Sequence, residues 1–212
     1  MKRRARCGLL VAMCFVGSVA AAAPAAPSGV ESLERFFTDV IRFTARFDQL
    51  LIDETGATIQ ESKGRLWIQR PNKFRWDYET PYKQQIIGDG ERLWVYDEDL
   101  KQATVRTLKG GLLDTPAVLL AGQGHLNDQF QIRDGGITDK LAWVELVPKN
   151  KDSGFEKVRL AFERGRLRGI ELVDGLGQMT RYTLTAGTEN KPIGASRFTF
   201  TPPPDVDVVG ER

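Results

Sequence analysis

Alternation of apolar and polar residues with a period of two dominates this chain and is clearest in the stretch GRLWIQRPNKFRWDYETP, residues 64–81. In its second half Phe74, Trp76 and Tyr78 alternate with charged residues, so the three aromatic side chains share one face of a strand. Pro71 and Asn72 interrupt the alternation and supply a turn. The stretch is therefore predicted to form two strands joined by a turn.

Arg70 is the unusual residue of this hairpin. Its position in the alternation places a guanidinium on the same face as Leu66 and Ile68. A buried arginine costs free energy unless its N–H groups find acceptors. Either another segment comes to meet Arg70, or Arg70 ends its strand and reaches water along its aliphatic stem.

Two segments carry helical patterns instead. Ser28 and Glu31 have the spacing of a capping box, and a stripe with helical spacing follows at Val30, Leu33, Phe36, Phe37, Val40 and Ile41. Further along, Asp114 or Thr115 is suited to cap a short helix with Pro116 in its first turn. That helix contains Val118, Leu119 and Leu120, and it ends at Gly122.

The rest of the chain reads as strands separated by turns. Besides the hairpin, we predict strands at residues 43–51, from 58, and at 84–87, 91–97, 101–108, 130–133, 141–147, 155–163, 167–173, 178–185 and 197–201. The predicted fold is mainly β: an incomplete, unclosed antiparallel β-barrel of about eleven strands, with helices over its open face. Its apolar face is either a plain core or a ligand cavity, and composition does not separate the two.

The start of the chain predicts secretion. A basic segment, an apolar run over residues 8–20 and small residues before Pro24 are typical of a signal peptide over residues 1–23, leaving one domain over residues 24–212. Those 23 residues contain four Lys or Arg and no Asp or Glu, so their removal changes the net charge from +2 to −2. Nucleic-acid binding therefore gains no support from charge. Cys7 and Cys14 both lie in this segment, so the mature chain has no disulfide.

Signatures of catalysis are missing from the sequence. It contains no G-x-S-x-G, H-E-x-x-H, P-loop or glycine-rich dinucleotide motif. The carboxylate pairs Asp97/Asp99 and Asp205/Asp207 fall in predicted turns or the tail, and the single histidine, His125, falls in a loop. We expect neither an enzyme nor a metal or cofactor site.

Several segments resemble the periplasmic outer-membrane lipoprotein carrier family. They are the hairpin itself, DGERLWVYDEDLKQAT (89–104), DTPAVLLA (114–121), DGLGQMTRYTL (174–184) and FTFTPPPDVDVV (198–209). The resemblance implies an unclosed β-barrel whose apolar cavity holds the acyl chains of lipoproteins under a helical lid. It also implies that the protein receives lipoproteins from an ABC-type release complex of the inner membrane and delivers them to an outer-membrane acceptor. We expect the mature protein to be a monomer in the periplasm.

The resemblance also assigns roles to individual residues. Arg70 is expected to latch the lid, and Phe74 to lie at the cavity rim and contact the partner. The cavity is expected to be lined by Phe47, Leu66, Ile68, Trp76 and Trp94, and the lid to use Leu33, Phe36, Phe37, Val118, Leu119 and Leu120. With Phe74 at a rim, Phe74→Glu leaves the protein folded and disturbs transfer; with Phe74 in a core, it unfolds the domain. Two alternatives are a lipid- or glycolipid-binding or lipoprotein-sensing protein of the same fold, and a secreted hydrolase.

Overall fold

One open antiparallel sheet forms the body of the protein. The computed structural model describes residues 26–108, 115–122, 126–150 and 153–210. In these residues twelve strands follow the spatial order β12-β6-β5-β4-β3-β2-β1-β11-β10-β9-β8-β7. They are β1 (Arg42–Ile52), β2 (Thr58–Gln69), β3 (Lys73–Thr80), β4 (Gln84–Asp89), β5 (Arg92–Asp97), β6 (Gln102–Thr107), β7 (Phe130–Thr138), β8 (Leu141–Pro148), β9 (Lys157–Glu163), β10 (Arg166–Val173), β11 (Met179–Glu189) and β12 (Asp207–Gly210). The predicted unclosed, mainly β fold is confirmed.

Short turns connect most neighbouring strands, as the alternating pattern predicts. The sheet has two hairpin-connected halves, β1 to β6 and β7 to β11, which meet where β1 pairs with β11. The final strand, β12, pairs with β6 and is parallel to it. The alternation within each strand places one set of apolar side chains on the concave face, where the functional site lies.

Three helices cover the concave face in the described part of the chain: α1 (Gly29–Asp39), α2 (Pro116–Ala121) and α3 (Leu126–Gln129). The predicted capping box is present: Glu31 N donates to Ser28 Oγ over 3.2 Å, and Ser28 N donates to the Glu31 carboxylate over 2.8 Å. Thr115 caps α2, and Pro116 begins it. The first helix packs on β7 to β10, whereas α2 packs on β2 and β3. The lid therefore has two separate parts.

A small second core lies on the outer face of the sheet. Ile87, Trp94, Ala103 and Val105 are buried there, and side chains from the end of the chain cover them: Phe200, Val206 and Val208. The Phe200 ring lies 5.4 Å from that of Trp94 and 5.2 Å from that of Tyr96, between ring centroids. The C-terminal segment thus covers an apolar patch on the outer face of β4 to β6.

The predicted strand at residues 197–201 is wrong. A 3₁₀ turn at Ala195–Phe198 takes its place and lies against β3 and β4. Proline follows at residues 202–204, and a run that lacks backbone N–H donors is poorly suited to extend a strand ladder. Phe198 is buried within this turn, and Phe200 packs against the outer core. The predicted signal peptide, Asp114 and His125 lie outside the described residues.

Candidate functional site

The concave face of the sheet and the two lid parts enclose one apolar core. Four of the predicted cavity residues, Phe47, Leu66, Ile68 and Trp76, are 0–1% exposed within it. All six predicted lid residues join this core, four fully buried and two partly buried: Leu33, Phe36, Leu119 and Leu120, then Phe37 and Val118. Lid side chains fill the space above these four sheet residues, so this conformation is closed.

Aromatic rings line the middle of this concave face. The Phe47 ring lies 5.4 Å from Trp76, 5.1 Å from Tyr78 and 5.8 Å from Tyr182, measured between centroids. Tyr78 and Tyr182 bring their hydroxyls within 3.3 Å of each other. Burial raises the pKa of both phenols, so both stay protonated at neutral pH.

The predicted position of Trp94 in the cavity is wrong. Its side chain is 8% exposed and belongs to the outer core, against Phe200. The preceding residue, Leu93, occupies the concave face and joins the main core. Because the C-terminal segment covers the outer face, β5 carries apolar residues on both faces, and alternation alone does not tell which of them points inward.

The predicted rim position of Phe74 is wrong in this conformation. Its side chain is 0% exposed and lies in the main core. Gly88 on the neighbouring strand leaves room for the ring, since a Cβ atom at that position would lie 2.4 Å from Phe74 Cε1. The role of Phe74 in contacting a partner stays a prediction.

Arg70 binds the C-terminal end of α1. Its Nη1 donates to the carbonyl oxygen of Phe36 over 3.1 Å and to that of Val40. The guanidinium carbon also lies 4.9 Å from the Phe36 ring centroid and 4.6 Å from that of Phe37. The last carbonyls of a helix lack intrahelical partners and carry partial negative charge, so a cation is favourable here. Arg70 therefore does not simply reach water.

The second lid part is attached through the residue after the Arg70–Pro71 turn. Asn72 N donates to the carbonyl oxygen of Ala121, the last residue of α2, over 2.8 Å. The sequence resemblance implies that arginine bonds the lid helices; here Arg70 itself bonds α1, and the turn next to it bonds α2. One turn at the end of the β2–β3 hairpin thus contacts both lid parts.

The contacts of Arg70 are incomplete. Its Nε and Nη2 atoms are buried without a hydrogen-bond partner. Burial lowers the pKa of Arg70 to about 10, so the guanidinium stays protonated at neutral pH. A buried charge with unsatisfied donors opposes lid closure, whereas its two carbonyl bonds and two aromatic contacts favour it. The contacts of Arg70 with the end of α1 therefore combine favourable and unfavourable contributions.

A cavity of about 1010 Å³ follows the seam between the two lid parts. It is lined by α1, by the end of α2, by α3 and by β7: Val30, Leu33, Glu34, Phe37, Thr38, Val40, Ile41, Arg70, Gly122, Leu126, Asn127 and Ile132. This volume is at the upper end of the range for ligand pockets. Its far wall, Leu126 and Ile132, is not predictable from the sequence, because these residues belong to a short helix and a strand with no distinguishing pattern.

The carboxylates considered as catalytic candidates have other contacts in the described part of the chain. There, no three His, Cys, Asp or Glu side chains come together as a metal site. Asp97 Oδ1 accepts from Leu100 N over 3.0 Å, and Asp205 pairs with Lys101 over 2.7 Å, so these carboxylates serve a turn and a surface ion pair. Within the same residues, we find no helix long and apolar enough to cross a bilayer.

The fold and the site together define an unclosed half-barrel with an apolar interior under a two-part helical lid. The family model for "Outer membrane lipoprotein carrier protein LolA" matches residues 38–201. The chain belongs to this family.

Individual relatives agree with the family match. The chain is 44% identical over 183 residues to the outer-membrane lipoprotein carrier protein of Methylobacillus flagellatus, covering 86% of this chain and 89% of that protein. It is 41% identical over 182 residues to the carrier of Dechloromonas aromatica, covering 86% and 88%. A crystal structure of an uncharacterized conserved protein from Thermus thermophilus has the same fold, with TM-score 0.54, 15% identity, and coverage of 85% and 97%.

Proposed function

We propose that this protein carries lipoproteins through the periplasm by covering their acyl chains. The observation that carries the proposal is the lid: Arg70, on the sheet, holds the end of α1 over an apolar interior, beside a seam cavity of about 1010 Å³. Opening that lid exposes an apolar surface, and closing it refills the same space with lid side chains. A protein with a lid of this kind can bind an apolar ligand reversibly.

The energy of acyl chains in water makes a carrier necessary. A triacylated cysteine has on the order of 40 methylenes, and burying each is worth ~0.8 kcal/mol. Release of such a group from a bilayer into water is therefore far too slow to supply another membrane. The carrier must also release the acyl chains. In the closed state lid side chains occupy the interior, and this competition lowers the affinity of the protein for acyl chains.

The proposed partners lie at the two ends of the route. The protein receives lipoproteins from an ABC-type release complex in the inner membrane and passes them to a lipoprotein acceptor in the outer membrane. It works as a monomer, without nucleic acid, metal or cofactor, and it performs no catalysis. Membership of a carrier family supports the carrier role. The structural roles of Asp97 and Asp205 support the absence of catalysis by these carboxylates.

Mass spectrometry of the protein purified from periplasm tests the function. Under native conditions we expect co-eluting peptides or proteins that carry an acylated N-terminal cysteine, because the interior covers acyl chains. Denaturing conditions release them. Co-elution of a glycolipid without any acylated protein would contradict the proposal and favour a lipid carrier of another kind.

The intact mass of the same sample tests the location. We expect a chain cleaved near Ala23 and free of acyl modification, because the segment before it has the pattern of a signal peptide and Val11, Ala12 and Met13 fit poorly before a lipidated Cys14. A mass that corresponds to a diacylglyceryl group on Cys14 would show a membrane-anchored protein instead.

A further inference from the structure

Polar side chains form a group at the end of the concave face opposite Arg70. The strand β1 begins beside the Arg70 turn, where Arg70 N donates to the Ile41 carbonyl oxygen over 2.9 Å. Gln49 lies eight residues further along, about 26 Å at the rise of a strand. It is paired with Ser62 on β2. On β3, β4 and β5, Tyr78, Gln84 and Asp97 occupy consecutively paired positions.

These residues line a small polar pocket. Its volume is about 230 Å³, and its walls are Gln49, Gln60, Ser62, Tyr78, Pro81, Tyr82, Gln84 and Asp97. Three of these side chains are amides and three are hydroxyls, so most of the wall can both donate and accept hydrogen bonds. Drug-sized ligands occupy larger pockets. This pocket is therefore of a size for one polar fragment of a larger molecule.

One acceptor in this group is left without a partner. Gln49 Oε1 is buried and receives no hydrogen bond, whereas its neighbour Ser62, which is 3% exposed, receives one from Gln60 Nε2 over 3.0 Å. An unsatisfied buried acceptor costs about 1–3 kcal/mol. A ligand that donates to Gln49 removes that cost.

The pocket adjoins the apolar interior directly. Tyr78 belongs to the pocket and also lies 5.1 Å from the Phe47 ring, which is part of the main core. From Gln49 back to Phe43 the concave positions of β1 are apolar over six residues, about 20 Å. The ~30 Å hydrocarbon core of a bilayer holds two layers of chains, so one acyl chain spans about 15 Å. A ligand with a polar head in the pocket can thus extend its acyl chain beneath the lid.

We propose that this pocket binds the uncharged head of the cargo, where acyl chains join glycerol and the cysteine amino group. The inference rests on the proposed function and adds an orientation to it: head at the Gln49 end, chain ends toward Arg70. Ester carbonyls accept from the Gln side-chain amides and the tyrosine hydroxyls. The amide N–H of the acylated cysteine donates to Gln49 Oε1. The carboxylate of Asp97 disfavours a phosphate, which separates this head from that of a phospholipid.

The test compares three probes on one protein: a tripalmitoylated cysteinyl peptide, palmitate, and dipalmitoyl phosphatidylglycerol in detergent, each displacing a fluorescent fatty acid. The variant is Gln49→Leu/Gln84→Leu. The matched control is Gln85→Leu, which alters the adjacent residue of β4 on the opposite face. Losing two hydrogen bonds should weaken lipopeptide binding about tenfold, with palmitate within about twofold. Asp97→Asn, which retains the shape of the side chain, should strengthen binding of phosphatidylglycerol.

Three results would overturn the inference. Unchanged lipopeptide affinity in the double variant would show that the pocket makes no contact with the head. Equal weakening of palmitate would show a structural role only. Phosphatidylglycerol binding as tight as that of the lipopeptide, with the same dependence on Gln49 and Gln84, would show that the pocket does not select this head. Failure of the unaltered protein to bind the lipopeptide would instead refute the proposed function and this inference together.

Discussion

Arg70→Leu is expected to give a carrier that accepts lipoprotein, holds it more tightly and passes little of it to the outer-membrane acceptor. Arg70 bonds the carbonyl oxygens of Phe36 and Val40 at the end of α1, and in the proposed mechanism these two bonds break when the lid opens. A hydrogen bond from a charged group is worth about 1.5–3 kcal/mol. Leucine at this position removes the bonds and remains compatible with the neighbouring Leu66 and Ile68, so the open, loaded form gains relative to the closed, empty one.

The size of this effect depends on a cost that opposes closure. Burial lowers the pKa of Arg70 from its ordinary value to about 10, which corresponds to a penalty on the order of 3 kcal/mol for the protonated side chain. Because the lowered pKa is still well above 7, the guanidinium is charged at neutral pH in both the open and the closed conformation. The full free-energy penalty of burying that charge therefore applies to the closed conformation. The net closing bias is therefore smaller than the two bonds suggest, which suits a lid that must open.

Uptake and delivery need separate measurements in this experiment. Uptake is the amount of lipoprotein released from inner-membrane vesicles into a complex with the carrier, and delivery is its transfer from that complex to the acceptor. Arg42→Leu is the matched control, because Arg42 lies at the same end of the sheet and bonds Gln69 over 3.2 Å. Normal delivery by the Arg70 variant would show that Arg70 is not the latch.

Phe74→Glu is expected to unfold the protein or to lower its melting temperature strongly. The side chain is 0% exposed, and a carboxylate there has no partner in the apolar core. Burying an unpaired carboxylate in an apolar core lowers the free energy of unfolding by several kcal/mol. That is a large part of the stability of a typical domain. If Phe74 lay at the cavity rim, as the sequence predicts, Phe74→Glu would instead stay folded.

Thermal unfolding followed by circular dichroism gives the answer. Lys73→Glu is the control, since it places the same charge one residue earlier on a partly exposed side chain. Phe74→Leu keeps the site apolar and so permits a separate test of transfer to partners in a folded protein. Melting of Phe74→Glu near the temperature of the unaltered protein would place Phe74 at an exposed rim in solution.

Local patterns in the sequence are sufficient for much of the fold and for the central contact. The capping box at Ser28 and Glu31 and the alternation of Phe74, Trp76 and Tyr78 each involve residues close in the chain, so their physics is visible without a structure. Arg70 is conspicuous in the sequence because it is a charged residue on the same strand face as the apolar Leu66 and Ile68. The contact itself confirms that another segment meets it.

The errors come from packing between distant segments. Nothing in β5 indicates that Phe200, more than a hundred residues later, covers its outer face, so the pattern alone places Trp94 on the wrong side. Similarly, the burial of Phe74 depends on the missing side chain of Gly88 on β4. The strand β12 escapes prediction because four residues with a parallel partner give almost no periodic signal.

The arrangement of the lid also has a consequence for how the chain folds. Although α1 precedes β1, it covers β7 to β10, which come from the other half of the sequence. The two halves of the sheet join only through β1 and β11, whose paired residues lie more than 120 positions apart. Neither half can bury its concave face alone, so the transition state must bring distant segments together, and folding is expected to be slow for a domain of this length. The concave face of the first half therefore stays uncovered until β11 pairs with β1.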